Sequence, residues 1–365
     1  MTRKMSWAIA SSFALCLAAQ VSAGPGGQAP PAPAPAPAPP VPARPPAPPT
    51  PAAAGAPATH GPVVFTPQYR PGDSLRYQIS FHSQTSRLTG GAVSNPQGAR
   101  DLGASVEITM RLEALPPVMN TGVAGRVPPP PGTPGGERAP LRLRAVYERV
   151  SPSLSGDTFD PQANLLLAQY RRLQGRAIEF QLGTRGEVQY ISGLQEVLQD
   201  PGALEEARNW LQQLGAGLTA PPNGAVPGQS WTRTEGVPGA PLAGMEVHTT
   251  STYLRDEPCR VEEPGGEQCA ALLIRFSLEQ RPEARNSTPE DFRRDGMRTS
   301  GMWTSHGESL VHVSLRTGRT VSVSQSGEEL MDVTIRRVNG GEPIRYGGHS
   351  TTESHLLLLS ESSRR

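Results

Sequence analysis

The stretch "VEITMRLEA", Val106 to Ala114, alternates apolar and polar side chains without a break. Successive side chains of an extended strand point to opposite faces, so Val106, Ile108, Met110, Leu112 and Ala114 line one side while Glu107, Thr109, Arg111 and Glu113 line the other. A helix would scatter the same residues around its axis. The stretch therefore predicts a half-buried strand. The pattern recurs at Leu75, Tyr77, Ile79 and Phe81, at Leu141, Leu143, Ala145 and Tyr147, at Ile178, Phe180 and Leu182, and at Leu272, Ile274, Phe276 and Leu278. One apolar and one polar face per strand argues for antiparallel pairing, because parallel sheets are covered on both sides and read as continuous apolar runs.

Helical signals are fewer. Asp160 and Pro161 suit a helix start, Leu166, Tyr170 and Leu173 share a face, and Gly175 suits the stop. A second helical connection is predicted over about 194–214, where Asp200-Pro201 opens a run that carries Leu204, Ala207, Leu211 and Leu214 on one side. The expected fold is mainly β (α+β), an antiparallel half-barrel or barrel-like sheet with two or three covering helices.

Two pairs of segments echo each other. "RPGDSLRYQISF" from Arg70 matches "VPGQSWTRTEGV" from Val226 in its Pro-Gly, Ser and strand start, and "IEFQLGTRGEVQYISG" matches "VHVSLRTGRTVSVSQSG" as strand, Thr/Arg/Gly turn and strand. These echoes predict a duplication within a β-rich domain spanning 61–360, with halves at about 62–193 and 222–340 that pair to bury their edges.

Ahead of that domain, "MTRKMSWAIASSFALCLAAQVSAG" places Arg3 and Lys4 before a short apolar run and ends on small residues before Gly24, the pattern of a cleavable export signal over 1–23. Cys16 lies inside the apolar run behind Leu15 and is expected to leave with it. Residues 24–60 are mostly Pro, Ala and Gly, which cannot bury a core and favour polyproline II. They predict a disordered Pro-rich linker. The destination expected is the periplasm or the outside of the cell, with no transmembrane span in the mature chain.

In that oxidising setting "CRVEEPGGEQC" gains a meaning. Cys259 and Cys269 flank a Pro-Gly-Gly turn between two strand-like arms, an arrangement that suits a cross-strand disulfide. Zinc would need further ligands nearby, and a redox couple would favour Cys-x-x-Cys spacing. A staple closing so short a loop stabilises by roughly 3 kcal/mol on the chain-entropy model.

Composition removes several function classes. The 34 basic and 33 acidic residues nearly cancel, so no electrostatic footprint for nucleic acid exists. Lys4 is the sole lysine, which excludes Schiff-base, Ser-Lys and P-loop chemistry from the rest of the chain. His60, His82, His248, His306, His312, His349 and His355 form no helical metal pair, and solvated surface positions are expected for them. No metal, cofactor or catalytic residue is predicted. Trp210, Trp231 and Trp303 can line an apolar pocket or fill the core.

With Pro71, Gly72, Asp73 and Tyr77 in a Pro-Gly-Asp-x-x-x-Tyr segment, and a Gly-containing hairpin in each half, the chain resembles uncharacterised secreted bacterial β-rich proteins. At fold level alone it is similar to half-barrel lipoprotein carriers, lipid-binding periplasmic proteins in which helices partly cover a curved sheet. The resemblance transfers no ligand-binding residue. The alternating strands and apolar helices lead to the expectation of an exported, non-catalytic protein whose sheet and helices enclose a cavity for a lipid or other hydrophobic ligand. The alternatives are a structural or interaction module that meets an envelope protein partner on a Pro-rich spacer, and an exported hydrolase.

Overall fold

The computed structural model describes residues 61–92, 100–116, 141–156, 167–168, 170–182, 188–193, 196, 221, 223–237, 239–260 and 266–363. The predicted signal, the linker, the Leu204 to Leu214 stripe, Asp160 to Leu166, His60 and Trp210 lie outside them.

Eleven strands form one antiparallel sheet: β1 (Asp73–Ala92), β2 (Arg100–Leu115), β3 (Leu141–Gly156), β4 (Ala177–Leu182), β5 (Val188–Ser192), β6 (Ser230–Gly236), β7 (Met245–Pro258), β8 (Gln268–Gln280), β9 (Met297–Ser314), β10 (Thr320–Arg337) and β11 (Ile344–Ser363). Their order across the sheet is β5-β4-β3-β2-β1-β11-β10-β9-β8-β7-β6. Every pair of strands consecutive in the chain but one is thus adjacent in the sheet, and the first strand pairs with the last. The exception is β5 with β6. Those two form the edges, so the sheet is open and not a closed barrel.

Parity explains where it opens. Ten successive antiparallel pairings separate β5 from β6, so both edge strands run in the same direction. A tight turn joins only antiparallel strands; parallel ones need a crossover of a dozen residues or more. The 37 positions between Ser192 and Ser230 supply that length.

The two predicted halves each open a five-strand meander, at β1 and at β6. They do not pair directly, contrary to the expectation. β11, which belongs to neither, lies between β1 and β10, and among the described residues no strand pairs with the outer edge of either meander.

Alternation puts most buried residues of the strands on one face, called inner here; in β8, Cys269 and Ala271 are buried on the other. In β2 to β4 and the first half of β1 that face is apolar: Leu75, Tyr77, Met110, Leu112, Leu143, Ala145, Ile178 and Phe180 are almost inaccessible to water. Leu173 and Tyr170, from a helical turn that ends at Gly175, pack on it. Gly175 takes φ +76°, and its N–H reaches the Tyr147 carbonyl at 2.7 Å, which stops the helix where the sequence suggested.

Candidate functional site

Across β7 to β11 the same face is filled differently. One apolar cluster gathers Phe65, Tyr253, Leu272, Val311 and Val313, and another gathers Leu242, Met245, Trp303, Val333 and Ile335. Between them the register sets three rows of mostly small or polar side chains. The central row runs Thr249, Phe276, Gly307, Gly327, Thr352, Ser83. On one side lie Trp231, Ser251, Ile274, Ser309, Gln325 and Ser354, and on the other Leu278, Ser305, Glu329, Ser350 and Thr85.

Eight polar side chains of this belt are buried: Ser83, Ser251, Ser305, Ser309, Gln325, Glu329, Ser350 and Ser354. Burial of polar groups is tolerable only with hydrogen-bond partners. Glu329 Oε1 accepts from Trp303 Nε1 at 3.0 Å, and the hydroxyls of Thr85 and Ser350 meet at 2.9 Å. Gly307 and Gly327 leave the middle of the belt without side chains, and the Phe276 ring leans into that gap: a Cβ on Gly307 would sit 2.5 Å from Phe276 Cζ. One donor is left over. Trp231 Nε1, in the row of Ser251 and Ser309 on edge strand β6, is buried without a partner; Tyr69 Oη and Thr299 Oγ1 are the other two such atoms among the described residues.

A second polar centre lies where the sheet's first and last strands meet. Arg319, from the β9–β10 turn, has a side chain only 4% exposed; it donates to Asp73 and Glu361, and through Nε to the Gln68 carbonyl at 2.6 Å. Its guanidinium carbon lies 4.8 Å from the centroid of the Tyr69 ring. Burial raises the Tyr69 phenol to about 12; Arg319 pulls it down, and Glu361 and Asp73 push it up. Tyr77 is driven well above the usual phenol range, again chiefly by burial, and its hydroxyl donates to the Thr320 carbonyl at 3.1 Å. Asp73 and Tyr77 of the Pro-Gly-Asp-x-x-x-Tyr segment thus dock on the Thr-Gly-Arg turn of the other half. Gly318 is required there, since it takes φ +64° and a Cβ would strike the Thr66 carbonyl oxygen. With Arg319 held by two carboxylates and a carbonyl from other parts of the chain, this centre reads as a clasp.

Cys259 and Cys269 are bonded, with Cα atoms 4.9 Å apart. They are not directly opposed: the Cys259 N–H reaches the Glu267 carbonyl and Cys269 faces Glu257, so the bridge is diagonal. Cys269 is fully buried. Trp303 lies in the core, and Trp231 lies at the belt.

No family model and no curated protein matches the chain. Among solved structures, lipovitellin, studied for its lipid–protein interactions, is 11% identical over 82% of this chain and 26% of its own, with a TM-score of 0.43. This chain therefore spans about a quarter of that protein's length. An outer-membrane channel from Pseudomonas putida F1 is 8% identical over 80% of this chain and 97% of its own, with a TM-score of 0.17. A LolA superfamily protein from Nitrosomonas europaea is 7% identical over 81% and 88%, with a TM-score of 0.10. At these scores none of them assigns a function.

Proposed function

We propose that the chain is an exported, non-catalytic β protein that holds a lipid or other hydrophobic ligand against the inner face of β6 to β11. What carries the reading is the division of that face into two apolar clusters with a buried polar belt between them. At its edge Trp231 Nε1 is buried without an acceptor, a state that costs roughly 1–3 kcal/mol and that a bound acceptor would relieve. An amphiphile uses both parts: its hydrocarbon meets a cluster, and an acceptor oxygen meets Trp231 Nε1 and the serine hydroxyls. The ligand is held by shape and hydrogen bonds, with no bond made or broken.

The test is organic extraction of the purified protein followed by mass spectrometry, together with uptake of an apolar fluorescent dye by the extracted protein. A copurifying amphiphile that competes with the dye supports the reading. The absence of both a copurifying ligand and dye uptake refutes it. Export is tested separately on protein from its natural source, where Cys259 and Cys269 should resist alkylation until reduced and the chain should begin after Ala23. Partner capture that depends on residues 24–59 while the ligand test fails would favour the envelope interaction module.

A further inference from the structure

Six histidines fall on described residues, and the register puts all six on the outer face. Five of them follow β10. Its successive outward positions are Ser322, Ser324, Ser326, Glu328 and Leu330. Beside them lie His312 on β9, His355 on β11, Glu353 with His82 beyond it, His306 on β9 and His349 on β11. At strand spacings of about 4.8 Å and a rise of about 3.4 Å per residue, the five cover roughly 27 by 14 Å. Leucines stand among them: Leu310, Leu330, Leu357 and Leu359 are 37–46% exposed on the same face.

The charges facing these histidines can be counted strand by strand. Glu257 on β7 bonds His312 Nε2 at 2.6 Å and lies beside Arg255, and Arg260 holds the Leu358 and Leu359 carbonyls. Arg275 on β8 pairs with Glu308 on β9. Glu328 on β10 lies between His306 and His349, at 3.5 and 2.5 Å. Asp332 on β10 is chelated by Arg345 on β11, while Glu353 lies opposite His82 and Glu107 opposite Ser80. Arg76, Arg111, Glu113 and Glu148 neutralise one another farther along. Seven carboxylates (Glu107, Glu257, Glu279, Glu308, Glu328, Asp332, Glu353) against five guanidiniums (Arg149, Arg255, Arg260, Arg275, Arg345) leave the face at −2 with neutral histidines. Five added protons make it +3. A sign change of this kind needs only protonated imidazoles, and histidine is the side chain whose ordinary charge change falls between pH 5 and 8.

We propose that the outer face of β9, β10, β11 and β1 docks on an anionic lipid membrane, and does so on acidification. A broad lattice of positive charge with leucines set between the charges complements a planar anionic surface with hydrocarbon beneath it. Each basic group near such a surface contributes about 1 kcal/mol, roughly a fivefold gain in partition.

The experiment is co-sedimentation of the purified full chain with vesicles of phosphatidylglycerol and phosphatidylcholine, or of phosphatidylcholine alone, at pH 5.0 and 7.5, with circular dichroism to confirm the fold. Expected is binding to the anionic vesicles at pH 5.0, weaker by at least about tenfold at pH 7.5 and on neutral vesicles. The combined variant His306→Gln, His349→Gln and His355→Gln should lose on the order of a hundredfold at pH 5.0. Should that variant unfold, His306→Gln and His355→Gln alone should each lose about fivefold. Leu310→Ser with Leu357→Ser should weaken binding yet keep its pH midpoint. Binding that is equal at both pH values, equal on neutral vesicles, or unchanged in the histidine variants overturns the proposal.

Discussion

The inner faces of β1–β4 and of β7–β10 follow one alternation rule and do different things with it. In the first, Leu75, Met110, Leu112, Leu143 and Ile178 exclude water along the strands. In the second, the apolar side chains withdraw to the two ends and Ser251, Ser305, Ser309, Gln325 and Glu329 occupy the middle. Alternation says which way a side chain points. Whether that direction is a core or a surface for something else depends on volume and polarity, and those change within a single sheet.

The largest expected effect falls on the clasp that joins the two regions. Arg319→Ala leaves Asp73, itself buried, without its cation, and loss of one partner of a buried pair costs about 3–5 kcal/mol. Chemical denaturation should show one transition displaced by that amount; a change below 1 kcal/mol would mean that the halves hold together without the clasp. Next comes a paired test of the contrast itself. Leu112→Ala in the first region should cost about 3 kcal/mol, because the buried side chain leaves a cavity. Ser309→Ala, equally buried in the second, should cost under about 1 kcal/mol. Equal losses at the two sites would erase the difference claimed between them.

Much of the first region is legible in the sequence, and little of the second is. Alternation marks β1 to β4 because apolar and polar residues sort cleanly between their faces. It fails on β10, where Gln325, Gly327 and Glu329 point inward and Leu330 outward, and on β11, whose "HLLLLS" is apolar on both sides. β11 therefore carries no alternation to mark it as a strand, although it is the one that joins the two meanders. The Pro-Gly-Asp segment and the Thr-Gly-Arg turn both stand out as motifs, but Asp73 and Arg319 are 246 positions apart, and only register brings them together. The histidine row is hidden for the same reason: its members come from β1, β9 and β11, and spacing along one strand shows only that His306 and His312 share a face.

Gly307→Ala tests whether the belt is as tightly organised as a core. The new methyl would meet the Ser326 carbonyl and the Phe276 ring, an overpacking that costs about 1–3 kcal/mol unless the ring swings away. Loss of stability together with altered dye uptake would place Phe276 at the ligand; loss of stability alone would make the ring a plug for the glycine gap.

The smallest stability effect is expected at Trp231, and it separates the two regions most sharply. Replacing the indole by phenyl removes apolar area, which destabilises, and removes a buried N–H that has no acceptor, which stabilises by relieving a desolvation cost. The two terms oppose each other, so Trp231→Phe should leave the unfolding free energy of ligand-free protein within about 1 kcal/mol of the parent. Ligand binding has no such compensation, because the lost donor was the group an acceptor oxygen would have satisfied. A loss of about fivefold in affinity for an oxygen-bearing amphiphile, with uptake of a hydrocarbon probe unchanged, corresponds to one hydrogen bond of about 1 kcal/mol. Equal affinity for both probes before and after the substitution would mean that the unpaired donor is incidental, and that the second region, like the first, holds its polar atoms for the fold alone.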